Sequence, residues 1–136
     1  MERSLALIKP DAVERNLIGD VISRYESNGL KVVALKMMQV TRELASKHYA
    51  CHKGKDFYEE LIEFITRSPL VAIILEGQDT VNTVRRINGI TDPKAAAEGT
   101  IRRAYGHSKT ENCVHSSDSP ENAKQEIELW FPELSK

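Results

Sequence analysis

An α+β fold, with a four-stranded antiparallel sheet covered by helices, is predicted from three features of this 136-residue chain. Four short apolar segments have the length and composition of strands, and segments with helical periodicity separate them. The connections have unequal lengths, which favours a split β-α-β arrangement of the ferredoxin-like kind over a simple doubly wound sheet. No linker, repeat or low-complexity tract interrupts the pattern, so residues 1–136 are interpreted as a single domain.

The first part of the chain is predicted to form one β-α-β unit. Residues 5–8 make a short buried strand that stops at Lys9-Pro10, because proline cannot continue a central ladder. Apolar residues then recur on one helical face between Leu17 and Tyr25. Asn28-Gly29 supplies a left-handed stop before the second strand, residues 32–40.

Two helices are predicted to follow as a helical hairpin. Thr41 can cap the first, and the second has an apolar face that comprises Phe57, Leu61, Phe64 and Ile65. A third strand, residues 70–75, comes after this pair.

The last part of the chain contains one more helix, a long loop and the fourth strand. Asp79 is predicted to cap the helix, which ends at Gly89. Residues 112–115 are predicted to be the fourth strand. Between them, residues 89–111 lack sustained periodicity, and loops of this length are usually functional or disordered.

Composition and charge exclude several classes of partner. The formal net charge is -1, which argues against nucleic-acid or anionic-membrane binding, because both depend on neutralising many phosphates. Cys51 and Cys113 are too few for a disulfide framework and fit a reducing compartment. The longest aliphatic run, residues 70–75, is too short to cross a bilayer, and the N-terminus lacks the apolar region of a signal peptide. A cytoplasmic location is therefore predicted.

The strongest candidate for chemistry is a histidine at the end of the predicted fourth strand. Ser119 can cap the following helix, Pro120 suits its first turn and Glu121 complements its dipole. His115 therefore precedes a well-specified turn, and a neutral imidazole can attack an electrophile through its free nitrogen. The alternative is a partly buried strand residue satisfied by a neighbouring hydroxyl or carbonyl.

Phosphate chemistry at this histidine would need positive charge around it. The chain has neither a G-x-x-x-x-G-K-[ST] P-loop nor a G-x-G-x-x-G motif. Neutralisation would come from Lys9, Arg85 and Arg102, with Mg²⁺ bridging the oxygens of the nucleotide itself. The long loop also contains Arg103 and Lys109, and a solvated, subunit-contacting loop is its alternative interpretation.

A competing site consists of His48, Cys51 and His52, which lie within about one helical turn and resemble a transition-metal site. A fourth ligand is missing, and the usual paired spacing is absent. Because Cys51 fits equally well as a packed small residue, no protein-held metal is predicted.

Several motifs spread along the chain together indicate a family. They are Ile8-Lys9-Pro10-Asp11, His48-Tyr49, Gly99-Thr100-Ile101-Arg102, Asn112, His115-Ser116-Ser117-Asp118-Ser119, Glu126 and Trp130-Phe131. In them the chain resembles the nucleoside diphosphate kinases over nearly its whole length, most of all the short bacterial members. The resemblance implies a ping-pong relay, in which His115 takes the γ-phosphoryl group of a nucleoside triphosphate and passes it to a different nucleoside diphosphate.

The resemblance also implies a role for each matching residue. Glu126 would orient the ring of His115, with Ser117 in support, and Mg²⁺ would be bound mainly through nucleotide phosphates. Phe57 would stack on the base, which reads little base identity; ordinary core packing is its alternative. Phosphate or ribose contacts would come from Lys9, Tyr49, Arg85, Thr91, Arg102 and Asn112. The resemblance further implies a homo-oligomer, with a tetramer favoured over a hexamer.

Three departures from the family pattern bear on activity. Ser116 stands where the family usually has glycine, Arg103-Ala104-Tyr105 replaces a commoner Gly/Ala-Asp-Phe/Tyr pattern, and Glu98 stands where proline is frequent. If the backbone at Ser116 were left-handed, a non-glycine residue would cost roughly 1 kcal/mol there. The alternative function is therefore a weakly catalytic nucleotide-binding module, regulatory or interacting, on the same fold.

Overall fold

The computed structural model describes residues 1–134 and contains a sheet of four antiparallel strands. The strands are β1 (Glu2–Ile8), β2 (Lys31–Met38), β3 (Leu70–Gly77) and β4 (Val114–Ser116). They lie in the order β2-β3-β1-β4. Because β3 is inserted between β1 and β2, which a helical connection joins, the β-α-β unit is split as predicted.

Helices cover both faces of this sheet. They are α1 (Pro10–Glu14), α2 (Ile18–Ser27), α3 (Arg42–His48), α4 (Tyr58–Thr66), α5 (Thr80–Asn88), α6 (Ile101–Tyr105) and α7 (Pro120–Trp130), with 3₁₀ turns at Ala50–His52 and Pro132–Leu134. Side chains of α2, α5 and α6 pack on one face, and those of α3, α4 and α7 pack on the other. The predicted α+β fold with a covered four-stranded sheet is confirmed.

The two central strands are buried on both faces. In β1, Ala6 and Ile8 pack beneath α2 and α5, whereas Leu5 and Leu7 belong to the opposite core with Trp130. The neighbouring strand β3 alternates in the same way. Burial on both sides explains why these strands appear in the sequence as continuous apolar runs.

Local signals at several helix ends act as the sequence predicts. The Thr41 hydroxyl accepts from the Leu44 amide at 3.1 Å, and the Ser119 hydroxyl accepts from the Asn122 amide at 3.1 Å. Gly29 has φ +84°, the left-handed stop expected after α2. These ends depend on neighbouring residues alone, which is why their sequence signature is reliable.

The predicted cap at Asp79 is wrong. Asp79 has φ +48° and its side chain makes no capping hydrogen bond to α5. Instead, a carboxylate oxygen of Glu2 accepts from the Val81 amide at 2.7 Å. The first turn of α5 is thus capped by a residue of β1, far away in sequence.

Element bounds differ from the predictions at several points. The first strand begins three residues earlier, at Glu2, and the second ends at Met38. The fourth comprises residues 114–116, so Asn112 and Cys113 precede it. Helices α1 and α6 were not predicted; each has five residues, too few for periodicity to be detected. In the described chain, the helices are too short or too polar to span a bilayer.

Candidate active site

The candidate nucleophile lies on the edge strand β4, next to the end of the central strand β1. His115 pairs with Leu7 across these strands, and Lys9 follows β1 directly. The Arg102 guanidinium reaches the same place, because its Nη2 donates to the Val114 carbonyl at 2.7 Å. The sheet therefore brings together residues that are about 100 positions apart.

A carboxylate fixes the ring of His115. The Nε2 of His115 lies 3.1 Å from Oε1 of Glu126 on α7. The Ser117 hydroxyl donates to the same Glu126 oxygen at 2.6 Å. Because a carboxylate oxygen only accepts, Nε2 carries the proton of the neutral ring, and the lone pair then lies on Nδ1. This is the tautomer that a nucleophile on Nδ1 requires.

Two further rings pack beside the candidate nucleophile. The His48 ring meets that of His115 edge to face, with centroids 4.5 Å apart. The indole Nε1 of Trp130 donates to Nδ1 of His48 at 3.2 Å. Burial, followed by repulsion from His115 and Lys9, holds the pKa of His48 well below its usual range. His48 is therefore a neutral ring, and it adds no positive charge to its neighbour.

The competing arrangement of His48, Cys51 and His52, which was considered from the sequence and not predicted to be a metal site, is not assembled as a cluster of ligand atoms. Within residues 1–134, the potential ligand atoms that lie within 4.8 Å of one another belong to His48, His115 and Glu126, not to Cys51 or His52. Each member of this group already has a hydrogen-bond partner. Cys51 is exposed on the 3₁₀ turn after α3.

Lys9 is a buried lysine directly after β1, near Arg102 of the candidate site. Its ammonium donates to Oδ1 of Asn112 at 2.8 Å, and the residue is only 6% exposed. The side-chain nitrogen Nδ2 of Asn112 in turn donates to the backbone carbonyls of Thr91 and Lys109, each at 3.0 Å. Burial, and then repulsion from Arg102, lower the pKa of Lys9 to about 8. An anion in this place would stabilise the lysine charge that burial disfavours.

A cleft of about 390 Å³ opens in front of His115. Its wall includes Arg85, Thr91, Arg102 and Asp118. Arg85 donates from Nη1 to the Asp118 carbonyl at 3.1 Å, and Arg102 donates from Nη1 to the Gly89 carbonyl at 2.7 Å. The Nε of Arg102 is buried and has no partner within residues 1–134. The wall of the cleft therefore contains two guanidinium groups together with His115.

The remaining predicted contact residues differ in their exposure. Tyr49 is buried, and burial raises its pKa. Phe57 is 44% exposed and precedes α4, so the prediction that it belongs to the apolar face of that helix is wrong. Its ring meets that of His52 at a centroid distance of 5.3 Å. One aromatic face near the cleft is thus available to a ligand.

The strained residue in this region is Cys113 and not Ser116. Ser116 lies in β4, and its φ is not positive. Cys113 has φ +75°, and its buried amide donates to Oδ2 of Asp11 at 3.0 Å. The anticipated penalty for a left-handed serine therefore does not arise. Neither Cys113 nor Asp11 was predicted from the sequence as a residue of the site. The signal that could have identified Asp11 is its place in the Lys-Pro-Asp motif.

The donor set fits a magnesium ion that is carried by a nucleotide. Asp118 is the carboxylate among the residues of the cleft wall, which are otherwise basic, polar or apolar. Its side chain also accepts a hydrogen bond from Asn122. Mg²⁺ prefers oxygen ligands and commonly keeps substrate phosphates and waters. Such a wall suits phosphates and leaves most of the coordination of the ion to them.

Comparison with known proteins shows the family of the chain. Residues 2–135 match the family model "Nucleoside diphosphate kinase". The chain belongs to the nucleoside diphosphate kinase family. A nucleoside diphosphate kinase of Clostridium perfringens is 57% identical, over 98% of this chain and 94% of the relative. One from Saccharolobus islandicus is 51% identical, over 96% of this chain and 95% of the relative.

Solved structures of kinases from this family share the fold. The Aquifex aeolicus nucleoside diphosphate kinase has a TM-score of 0.94 and 41% identity, covering 98% of this chain and 96% of its own. The enzyme of Halobacterium salinarum, solved in complex with CDP, has a TM-score of 0.93 and 44% identity, covering 96% and 87%. The chain is a nucleoside diphosphate kinase that transfers the γ-phosphoryl group from a nucleoside triphosphate to a nucleoside diphosphate.

Proposed function

We propose that His115 carries the phosphoryl group between the two nucleotides. The observation that supports this role is the contact of Nε2 of His115 with Glu126, because in the neutral ring this contact places the proton on Nε2 and the lone pair on Nδ1, in a side chain that lines the cleft. In the first half-reaction, the Nδ1 lone pair attacks the γ-phosphorus and an N–P bond forms. The bond to the β,γ-bridging oxygen breaks, and its electron pair leaves with the nucleoside diphosphate. In the second half-reaction, a terminal phosphate oxygen of a second nucleoside diphosphate attacks the phosphorus of the phosphohistidine. The N–P bond breaks, its electron pair returns to Nδ1, and a nucleoside triphosphate leaves.

Glu126 and Ser117 have positioning roles in this proposal. The Nε2 proton stays on the ring throughout the cycle, and positive charge that develops there on phosphorylation is stabilised by the Glu126 carboxylate. Ser117 supports the carboxylate, because its hydroxyl donates to the same oxygen. The ring thereby keeps one tautomer and one orientation in both half-reactions.

Positive charge for the phosphates is assigned to Lys9, Arg85 and Arg102. Lys9 stands at the end of β1, and the unpartnered Nε of Arg102 is a buried donor that an anion would satisfy. Mg²⁺, bound mainly through nucleotide phosphates, would supply further neutralisation of the phosphate oxygens when present. Charge stabilisation of this kind is the main protein contribution in phosphoryl transfer.

The rest of the nucleotide is assigned to residues around the cleft. Phe57 offers an exposed ring for the base, and every base has a π face that such a ring can stack on. Thr91 is exposed, whereas Tyr49 and Asn112 are buried. We assign contacts with phosphates or ribose to these three residues. CDP, present in the Halobacterium salinarum structure, is one acceptor that we expect for this chain.

A labelling experiment tests the carrier role. Incubation with Mg²⁺ and γ-labelled ATP is expected to give an enzyme label that survives base and is lost in acid, and any common nucleoside diphosphate should discharge it. His115→Ala should abolish the label. Absence of label on the native protein would contradict the proposal and favour the weakly catalytic module, which would retain nucleotide affinity without phosphoryl exchange.

We further propose a homo-oligomer, with a tetramer favoured over a hexamer. Strand β2 is at an edge of the sheet, and two of its apolar side chains, Leu35 and Met37, are 49% and 56% exposed. An open apolar edge strand is a typical site of association between chains. Sedimentation equilibrium measures the assembly directly, and a monomer at micromolar concentration would contradict this proposal.

A single domain and a cytoplasmic location complete the proposed assignment. Both apolar cores share the same sheet, which supports one domain over residues 1–136. Neither Cys51 nor Cys113 forms a disulfide, in keeping with a reducing compartment. Limited proteolysis that released a stable fragment would contradict the single domain.

A further inference from the structure

The backbone just before the candidate nucleophile is held in an unusual conformation. Cys113, two residues before His115, has φ +75°, which is a sparsely populated region for a residue with a Cβ. The Val114 amide donates to the Asn112 carbonyl at 2.9 Å, so Cys113 is the central residue of a γ-turn with positive φ. Turns of this kind are rare and strained, and they persist where the surrounding structure imposes them.

The segment after β1 imposes this turn through two hydrogen bonds. The Lys9 amide donates to the Cys113 carbonyl at 2.8 Å. The Cys113 amide donates to Oδ2 of Asp11 at 3.0 Å. Both polar backbone groups of the strained residue are therefore held by residues 9–11, so the turn cannot relax without losing a buried hydrogen bond.

Burial of the Asp11 carboxyl lowers the stability of the fold, which is unusual for a residue with a purely structural role. Asp11 is 1% exposed, and its Oδ1 has no hydrogen-bond partner within residues 1–134. Burial of the carboxyl raises its pKa, although the nearby Lys9 charge opposes that shift. A buried carboxyl with one unsatisfied oxygen costs stability. Its Oδ2 accepts from the amide of the strained turn.

The turn sets the register of a very short strand. Strand β4 has three residues, in which His115 pairs with Leu7 and Val114 pairs with Ile8. The next contact upstream is the one between Lys9 and Cys113. Because side chains alternate between the faces of a sheet, a slip of one residue would turn His115 away from Glu126 and the cleft.

We propose that Asp11 is a positioning residue, which holds Cys113 in its left-handed conformation and thereby aims the His115 ring into the cleft. This inference rests on the proposed role of His115 as phosphoryl carrier. It assigns to the aspartate of the Lys-Pro-Asp motif an effect on phosphoryl transfer that passes through the backbone of residues 112–115 and involves no contact with the nucleotide.

A mutant cycle between Asp11 and Cys113 tests the inference. Transfer from γ-labelled ATP to the enzyme is measured in a single turnover with a base quench, and ADP affinity is measured by calorimetry. Asp11→Ala should slow transfer roughly tenfold or more and change the ADP Kd less than threefold. Asp11→Asn keeps an oxygen that can accept from the Cys113 amide, so it should retain most of the rate.

Glycine at position 113 should remove the need for Asp11, because glycine adopts positive φ without a Cβ clash. In the Cys113→Gly background, Asp11→Ala should therefore cost less than threefold. Cys113→Ala keeps the Cβ and should give no such rescue. Asp20→Ala, which removes an exposed acid on α2, is the matched control. If the Asp11→Ala single variant does not fold, the transfer rates of Cys113→Gly with and without Asp11→Ala still test the inference.

Either of two results would overturn the inference: equal rates for Asp11→Ala and Asp20→Ala, or a full Asp11→Ala loss with glycine at position 113. Failure of the carrier role is a different outcome, because the native protein would then take no label at all. In that case, hydrogen exchange at the Cys113 amide tests whether Asp11 holds the turn. The amide should exchange at least tenfold faster in Asp11→Ala than in the native chain, and an unchanged rate would refute the contact.

Discussion

The floor and the rim of the proposed nucleotide cleft differ in burial and in side-chain contacts. The floor, which we define as Lys9, Asn112 and His115, has side-chain hydrogen bonds from Lys9 to Asn112 and from His115 to Glu126 of α7. The rim, Phe57, Arg85 and Thr91, is exposed. Arg85 donates to the Asp118 carbonyl, and the Thr91 carbonyl accepts from the Asn112 side chain. A preorganised floor acts mainly on the transition state, whereas an exposed rim binds substrate and transition state alike. Changes in the floor should therefore lower kcat, and changes in the rim should raise KM.

The largest effect is expected from the buried charge of the floor. Lys9→Met should lower the single-turnover transfer rate by about 10²- to 10³-fold, the usual result of removing one preorganised donor from developing charge. Lys31→Met, an exposed lysine on β2, is the control and should behave as the native protein. A Lys9→Met rate within threefold of native would place the charge requirement elsewhere and break the distinction between floor and rim.

Orientation of the nucleophile should come next in size. Glu126→Ala should slow formation of the phosphoenzyme by up to about 100-fold, because the ring loses the acceptor that fixes its tautomer. Ser117→Ala should cost less, since Glu126 still accepts from His115. Both rates are measurable with a base quench, and Glu128→Ala on an exposed part of α7 is the matched control. A larger loss for Ser117→Ala than for Glu126→Ala would contradict the assigned order of support.

The pH dependence of the floor follows from the lowered pKa of Lys9. Since this pKa is about 8, the lysine is mostly charged at pH 7 and loses its proton as the pH rises through 8. The value of kcat/KM should then fall about tenfold per pH unit on the alkaline side. Lys9→Arg, whatever its absolute rate, should lack this limb because arginine stays protonated. An alkaline limb that persists unchanged in Lys9→Arg would assign the titration to another group.

The same division explains what the sequence could predict. Strand β3 and the caps at Thr41 and Ser119 depend on neighbouring residues, so local patterns were sufficient. The cluster around His115 was predicted through the family resemblance and its motifs. The turn at Cys113 was not predictable in this way, because a left-handed cysteine is imposed by Lys9 and Asp11 from about 100 residues away.

Two errors have equally physical causes. Phe57 precedes Leu61 by four residues and Phe64 by seven, which is helical spacing, but α4 begins one residue later and leaves the ring exposed. Asp79 is a suitable capping residue by type, yet Glu2 occupies the amide that it was predicted to bind. At α5 a tertiary contact, and not propensity, therefore supplies the cap.

The smallest effect should come from the rim aromatic. Phe57→Ala should raise KM about fivefold for purine and pyrimidine nucleoside diphosphates alike, because stacking on a base contributes at least about 1 kcal/mol and reads no base edge. The value of kcat should stay within twofold, since the ring touches neither His115 nor its partners. Phe57→Trp retains a stacking face and serves as the control. Steady-state kinetics with ADP, GDP and CDP as acceptors gives both constants, and a fall in kcat without a change in KM would show that this exposed ring belongs functionally to the floor.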